Sequence, residues 1–200
     1  MRSGSLNEEL LESEELFNGR FLHAFRDKVV LPDGSLTVRE YFVHPGAVMV
    51  IPILQDDGER CMVVLERQFR YPVGKVIVEF PAGKLDRGEA AFDCARRELK
   101  EETGYAAQQW ARAGIIHPAV AYSTETIEVW FARGLVLGSR CLDDGEFLEV
   151  FSATSDELFQ WCSDGTITDG KTMAGVLWLQ NVNRGAWALN WQNNLIDEVG

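Results

Sequence analysis

Residues Gly83–Tyr105 read GKLDRGEAAFDCARRELKEETGY and hold the clearest periodic pattern in the chain. Their apolar side chains recur at helical spacings of one, three and four residues, at Ala91, Phe92, Ala95 and Leu99. Asp86 and Glu89 have the D-x-x-E form that opens helices, and Gly104 suits the left-handed position that ends them. The stretch therefore predicts a loop followed by a helix from Glu89 to about Thr103.

The acidic residues of this helix lie on one face. Glu98, Glu101 and Glu102 stand at positions i, i+3 and i+4, and Arg97 is placed to pair with Glu101. Two like charges four residues apart cost an isolated helix only about 0.2–0.5 kcal/mol, so a solvated acidic face explains the pattern equally well. A hard cation such as Mg²⁺, which takes oxygen ligands, would remove that repulsion.

The segments around the helix predict a mixed sheet. Short apolar and β-branched runs indicate strands at Ala47–Leu54, Cys61–Gln68, Val76–Phe80, Trp110–Ile116, Thr126–Ala132 and Glu149–Ser152. Thr154 and Glu157 form a capping box that opens a helix to about Ser163, and Asp169 begins a last helix. Strands and helices in irregular alternation favour an α/β or α+β sandwich, a mixed β-sheet flanked by helices.

The N-terminal residues predict a small separate unit. Residues 1–16 suggest a frayed or short helix, and β-like runs follow at Phe17–Arg26, Lys28–Leu31 and Leu36–Val43. A Pro-Asp-Gly turn joins the last two runs into a hairpin. We expect an N-terminal β subdomain over residues 1–45, too small to be stable alone, and a main domain over residues 46–200.

Charge and composition exclude several classes of function. The net charge is −12, which disfavours nucleic-acid binding because that needs a basic surface. The apolar runs are too short to cross a bilayer, and the acidic N-terminus lacks the pattern of a signal peptide. The four cysteines are far apart, as is typical of reduced thiols in a cytoplasmic protein. We therefore expect a cytoplasmic protein that contacts neither nucleic acid nor membrane.

The order of residues in Gly83–Tyr105 resembles the Nudix box, G-x5-E-x7-R-E-U-x-E-E-x-G-U. The matching positions are Gly83, Glu89, Arg97, Glu98, Leu99, Glu101, Glu102, Gly104 and Tyr105. Tyr105 is aromatic where an aliphatic residue is usual. Nine fixed positions over 23 residues are far more specific than a lone glycine motif. The chain is thus similar to Nudix hydrolases, and a Nudix-type sandwich is the fold that this resemblance implies.

The resemblance implies roles for the residues of the box. Glu98, Glu101 and Glu102 match carboxylates that hold divalent metal, Mg²⁺ with Mn²⁺ as an alternative, and the Ala82 carbonyl matches a backbone ligand. Four further matches are expected to be structural, Gly83, Glu89, Arg97 and Gly104, with Glu89 and Arg97 bracing the loop against the helix. Bound metal would polarise a phosphoanhydride and orient an attacking water.

The flanking residues resemble the ADP-ribose pyrophosphatase branch. Q-F-R at residues 68–70 and E-F-P-A-G at residues 79–83 recur there. The resemblance implies that Arg70 grips a substrate phosphate and that Glu79 lies in the substrate and metal pocket. Without the resemblance, Arg70 reads as an ordinary solvated arginine after a strand.

An acidic loop at residues 143–149 resembles the D-G-E-F-x-E-V loop of the same branch. Its mobile glutamate positions or deprotonates the water, and Glu146 is the match here. An acid-rich surface turn is the alternative explanation. A proline usual about fifteen residues past the box is displaced here to Pro118, which leaves the substrate less defined.

The N-terminal unit also has a counterpart in this branch, where a small β-domain forms a homodimer and helps to hold the adenine. Arg39, Glu40 and Phe21 are the substrate-binding candidates, Arg39 and Phe21 by stacking on the base. An ordinary role as strand residues explains them equally well.

We therefore expect Mg²⁺-dependent hydrolysis of a small nucleoside diphosphate sugar, ADP-ribose giving AMP and ribose 5-phosphate. Another nucleoside diphosphate sugar, such as GDP-mannose or a UDP-sugar, is the alternative substrate. A non-catalytic ADP-ribose sensor is a third hypothesis, disfavoured by the complete set of glutamates. An mRNA-decapping role is disfavoured by the negative charge.

Overall fold

The computed structural model describes residues 6–58, 60–142 and 144–194. Its strands are β1 (Glu9–Asn18), β2 (His23–Val30), β3 (Leu36–Val43), β4 (Ala47–Asp56), β5 (Cys61–Arg70), β6 (Lys75–Glu79), β7 (Ala82–Lys84), β8 (Tyr105–Ile116), β9 (Ile127–Leu137), β10 (Leu148–Thr154) and β11 (Gln192–Asn193). Its helices are α1 (Ala91–Thr103), α2 (Ser155–Asp164) and α3 (Gly170–Asn183). None of these helices is long and apolar enough to cross a bilayer.

The chain divides into two compact units. The first comprises residues 1–46 and 117–126, and the second comprises residues 47–116 and 127–200. The segment 117–126 joins the first unit through Phe42, whose N–H donates to the Tyr122 carbonyl at 2.9 Å. Each unit has its own sheet.

The first unit is an antiparallel sheet in the order β1-β2-β3. The hairpin of β2 and β3 confirms the predicted Pro-Asp-Gly turn. The predicted helix is wrong over residues 9–16, because these residues are extended and pair with β2, whereas residues 1–5 of that prediction lie outside the described residues. The predicted run Phe17–Arg26 is broken by a turn at which the N–H of Gly19 donates to the Leu22 carbonyl.

The second unit is a mixed sheet in the order β10-β5-β4-β9-β8-β11, with β6 on β5 and β7 on β4. Its central strand β4 is buried on both faces and pairs in parallel with β9. Val48 and Val50 pack with the apolar side of α1, whereas Met49 and Ile51 pack in the cluster that contains residues of α2 and α3. Helices therefore cover both faces of the sheet, which confirms the predicted sandwich.

The helix ends follow local chemistry. The capping box of α2 is present, since Thr154 accepts from the Glu157 N–H and Glu157 accepts from the Thr154 N–H. Helix α1 starts at Ala91, two residues later than predicted, with Ala90 at its N-cap. The Asp86–Glu89 pair instead closes a turn of the preceding loop, because the Glu89 carboxylate accepts from the Asp86 N–H. Gly104 ends α1 in the left-handed conformation, as predicted.

Candidate active site

Acidic residues of the candidate site in the second unit lie on strands β5 and β6 and on the second half of α1, and strand β7 lies against α1. Glu66 of β5 lies opposite Glu79 of β6 in the antiparallel register. Strand β7 passes so close to α1 that a Cβ added at Gly83 would lie 1.8 Å from a carboxylate oxygen of Glu98. Only a glycine leaves room for the Glu98 side chain at this point, which explains the glycine that opens the box.

Glu98 and Glu102 are buried on α1, at 9% and 3% exposure. Burial raises the pKa of Glu98 to about 7, against the opposing effect of Arg97. Burial also raises the pKa of Glu102, and the charge of Glu66 raises it further. The Glu102 carboxylate accepts the Ala82 N–H at 3.0 Å, which ties α1 to the start of β7.

Arg97 connects the loop before α1 to the acidic face of the helix. It forms two 2.8 Å hydrogen bonds with the Glu89 carboxylate, and these lower the pKa of Glu89 to about 2. It also donates to Glu98 at 2.7 Å and to Glu101 at 3.0 Å. The predicted i+4 pair with Glu101 is present, and the Glu89 pair lies where a brace between loop and helix would be.

Arg70 and Glu79 form a paired unit beside these carboxylates. Arg70 donates two hydrogen bonds to Glu79, at 2.6 and 3.0 Å. Lys171, on the first turn of α3, donates to the second oxygen of Glu79 and to Asp169. Glu79 is 1% exposed, so both cations compensate one buried carboxylate, while the Arg70 side chain keeps 38% exposure for a ligand.

Glu66 is fully buried at 0% exposure. Neither of its carboxylate oxygens has a hydrogen-bond partner within the described residues. Burial raises the pKa of Glu66, and the charge of Glu79 adds to that rise. A buried carboxyl group without a partner is costly in either protonation state, so this residue needs an explanation.

Glu146 follows Gly145, which has a φ of 84° in the acidic loop. Its carboxylate accepts from the Gln68 amide at 3.0 Å, which places the loop over β5. Phe147 is 83% exposed. Asp143, the first acid of the predicted loop, lies outside the described residues.

Three candidates from the N-terminal region lie in the first unit. Arg39 pairs with Glu8 at 2.6 Å, and Glu40 pairs with Arg26 at 2.8 Å. Phe21 is 41% exposed and contacts the His44 ring edge-on, with ring centroids 5.5 Å apart.

The carboxylates fit a hard divalent cation in type and number but do not yet converge on one point. Across the ranges 6–58, 60–142 and 144–194, no three His, Cys, Asp or Glu side chains are arranged to ligate a single ion. Glu98 and Glu101 point to Arg97, and Glu102 points to the Ala82 N–H. Rotation of these side chains would supply oxygen ligands of the kind that Mg²⁺ and Mn²⁺ take.

Two residues of the site were missed in the sequence. Glu66 has a recognisable signal, because this charged residue directly follows the apolar run Cys61–Leu65 within the same strand β5. It also shares strand parity with Gln68 and Arg70. Lys171 has no such signal, since a lysine in the first turn of a helix usually faces solvent.

Known families match both parts of the chain. The NUDIX domain matches residues 43–174, and the nucleoside diphosphate sugar hydrolase N-terminal domain matches residues 8–42. A solved structure described as an ADP compounds hydrolase has a TM-score of 0.80 at 23% identity, covering 92% of this chain and 98% of that one. This last likeness concerns the fold.

Two curated relatives extend over most of the chain. It is 34% identical to the ADP-ribose pyrophosphatase of Bacillus subtilis (strain 168), with 88% of this chain and 94% of the relative covered. It is 37% identical to the methanol dehydrogenase activator of Bacillus methanolicus, with 86% and 92% covered. The domain match, the coverage of these relatives and the box at residues 83–105 agree: the chain belongs to the Nudix hydrolase family.

Proposed function

We propose that this protein hydrolyses the diphosphate bond of ADP-ribose to AMP and ribose 5-phosphate, in a reaction that depends on Mg²⁺. The observation that carries the proposal is the buried group of carboxylates, Glu66, Glu98 and Glu102, beside the partly exposed Arg70. Buried acids need cations, and Arg70 offers a positive charge to a substrate phosphate. The name of the Bacillus subtilis relative supports ADP-ribose as the substrate.

We assign the metal ligands to Glu98, Glu101, Glu102 and the Ala82 carbonyl. All are hard oxygen donors, which favours Mg²⁺ and, as an alternative, Mn²⁺. When bound, the cation would polarise the phosphoryl oxygens and lower the pKa of the attacking water. Arg97 keeps Glu98 and Glu101 on one side of α1, where both could hold the metal, and Glu89 holds Arg97 in place.

Glu146 is the proposed general base. It sits on a loop, and its single described hydrogen bond comes from Gln68, a neutral donor that leaves the carboxylate able to accept a proton. Movement of the loop would bring Glu146 to the water once substrate is bound. Arg70 would bind the phosphate next to the second ribose, with Glu79 and Lys171 fixing the guanidinium.

The adenine end of the substrate is assigned to Arg39, Glu40 and Phe21 of the first unit. Phe21 would stack on the base, and Arg39 would exchange its ion pair with Glu8 for a cation–π contact. An exposed surface ion pair contributes little to stability, so this exchange is inexpensive.

We also propose that the protein is a homodimer formed through β1. All ten residues of β1 are exposed, and its outer edge has no partner strand within the described residues. An open edge with exposed apolar residues, Leu10, Leu11, Leu16 and Phe17, is a pairing surface. Light scattering should give twice the mass of 22.5 kDa for the wild type, and a monomer for a variant with Leu11→Asp and Leu16→Asp.

The test of the function is phosphate release with Mg²⁺ from a panel containing ADP-ribose, GDP-mannose, UDP-glucose, NADH and diadenosine polyphosphates, coupled to a phosphatase. A clear preference for ADP-ribose supports the proposal. A preference for another sugar nucleotide would keep the catalytic site and overturn the adenine assignment. Binding of ADP-ribose without turnover of any compound would instead favour a sensor.

A further inference from the structure

We propose that Glu66 is a further carboxylate ligand for a divalent cation of this site, in addition to the three glutamates of the box. The inference rests on the proposed function, because it concerns the same cation. It begins from the position of Glu66 on β5, outside the box and opposite Glu79 on β6.

The first step is that Glu66 faces the site. Side chains alternate along a strand, so Glu66, Gln68 and Arg70 project from the same side of β5. Gln68 contacts Glu146 and Arg70 contacts Glu79, so the other two members of this row both contact proposed site residues. Glu66 is the member of the row without such a contact.

The second step is that the cationic side chains near Glu66 donate their hydrogen bonds to another carboxylate. Arg70 and Lys171 both direct their N–H groups to Glu79. The other charges acting on Glu66 are those of Glu79 and Glu146, which repel it. Arg70 and Lys171 therefore attract the Glu66 carboxylate from a distance, but it receives no hydrogen bond from them or from any other described side chain.

The third step is that protonation alone does not satisfy the group. A neutral carboxyl group still carries an O–H donor and acceptor oxygens, and a buried one needs partners for them. Neither oxygen of Glu66 has a partner within the described residues. A cation shared with Glu102 would satisfy both groups, since Glu66 is the charge that acts most strongly on Glu102.

The experiment measures Mn²⁺ binding to the intact protein by the loss of the electron paramagnetic resonance signal of free Mn²⁺. We compare the wild type with Glu66→Gln, which keeps shape and removes charge. The matched control is Glu149→Gln on the neighbouring strand β10, where the side chain is 71% exposed and pairs with Arg67. We expect Glu66→Gln to lose one bound ion or to raise its Kd at least about tenfold, and the control to stay within about twofold.

Thermal unfolding separates ligation from a structural role. In EDTA, Glu66→Gln should melt no lower than the wild type, because it removes a buried carboxyl group that has no hydrogen-bond partner and is costly to ionise. With Mn²⁺, it should gain less in Tm than the wild type. If Glu66→Gln does not fold, Glu66→Met, similar in size and uncharged, is measured in the same way.

Wild-type stoichiometry and affinity for Mn²⁺ in the uncharged variant would overturn the inference, as would a lower Tm in EDTA with an unchanged gain from Mn²⁺. Hydrolysis of ADP-ribose by the wild type is measured in parallel. Turnover by the wild type with unaltered Mn²⁺ binding in the variant rejects Glu66 alone. If the variant loses Mn²⁺ binding but the wild type does not hydrolyse ADP-ribose, the proposed substrate is rejected and the proposed role of Glu66 as a metal ligand is retained.

Discussion

Glu102 combines two roles that a single amide substitution separates. Its carboxylate accepts the Ala82 N–H, and the same carboxylate is a proposed metal ligand. A glutamine keeps an acceptor oxygen for the N–H but carries no charge for the cation. The hydrogen bond and the metal site can therefore be tested independently.

We predict that Glu102→Gln lowers kcat at least about a hundredfold while the metal-free protein stays folded, because transition-state charge would lose its metal support. Steady-state kinetics with Mg²⁺ and circular dichroism in EDTA check the two parts. Asp93→Asn, an exposed change from acid to amide on the same helix, is the control. Wild-type rates in Glu102→Gln would remove the metal-site assignment.

Glu146 is predicted to act on the water and not on substrate affinity. Glu146→Gln should lower kcat at least about a hundredfold, as expected for loss of a general base, with the Kd for ADP-ribose within about threefold. Glu149→Gln, three residues along the chain, is the control. An unchanged rate would transfer the role to another acid of the loop, with Asp144 the first to test.

At the residue scale, the box could be predicted from sequence because its spacing is fixed by helix geometry. Arg97 reaches Glu101 one turn away, as the spacing indicated, and Glu89 in the preceding loop, as the resemblance to the Nudix box implied. The ion pair between Lys171 and Glu79 could not be predicted in this way, since 92 residues separate them and only the tertiary fold brings them together.

At the element scale, the sequence predicted most accurately the strands that are buried on both faces. Strand β4 is recognisable from its unbroken apolar run, because both of its faces are covered. Strand β1 was missed because all of its residues are exposed, which removes the apolar and polar alternation that marks a half-buried strand. Pairing with β2 sets its structure, and pairing is not visible in the local sequence.

The approach of β7 to α1 gives a prediction for Gly83. The added Cβ of Gly83→Ala would meet the end of the Glu98 side chain, which is flexible and can turn away. We therefore expect a small change in Tm but at least about a tenfold loss of kcat, since the added Cβ would restrict the side chain of Glu98, a proposed metal ligand. Kinetics with Mg²⁺ and thermal unfolding in EDTA measure the two effects.

The control for this variant is Gly138→Ala, whose Cβ would meet only the Gly104 carbonyl, at an ordinary distance of 3.6 Å. It should retain wild-type kcat. A Gly83→Ala enzyme with kcat within about twofold of the wild type would show that the position of Glu98 does not depend on this contact.

At the scale of the whole molecule, the net charge of −12 and the buried acids give stability a distinctive dependence on pH. The folded pKa of Glu98 is raised to about 7 from its ordinary value of 4.5, chiefly by burial. Between these values the folded state binds more protons than the unfolded state, so the free energy of unfolding falls as pH rises. The raised pKa values of Glu66 and Glu102 act in the same direction.

Glu89 does not offset this trend in the neutral range. Its pKa is lowered to about 2, so its contribution is fully present above its ordinary value of 4.5 and is lost only as the pH falls toward 2. The window between about pH 5 and pH 8 is therefore governed by the buried acids with raised pKa values. A divalent metal at the proposed site would bind their deprotonated forms, so its stabilising effect should increase with pH.

We predict that in EDTA the Tm falls between about pH 5 and pH 8, and that excess Mg²⁺ reduces or reverses this fall. Scanning calorimetry at several pH values with and without Mg²⁺ measures both curves. Glu98→Gln should make the EDTA curve flatter, because it removes one of the groups that lose protons in this window. An EDTA curve that is level or rises over the same range would contradict the assignment of these carboxylates as buried acids with raised pKa values, since ordinary surface glutamates lose their protons below this window in both states.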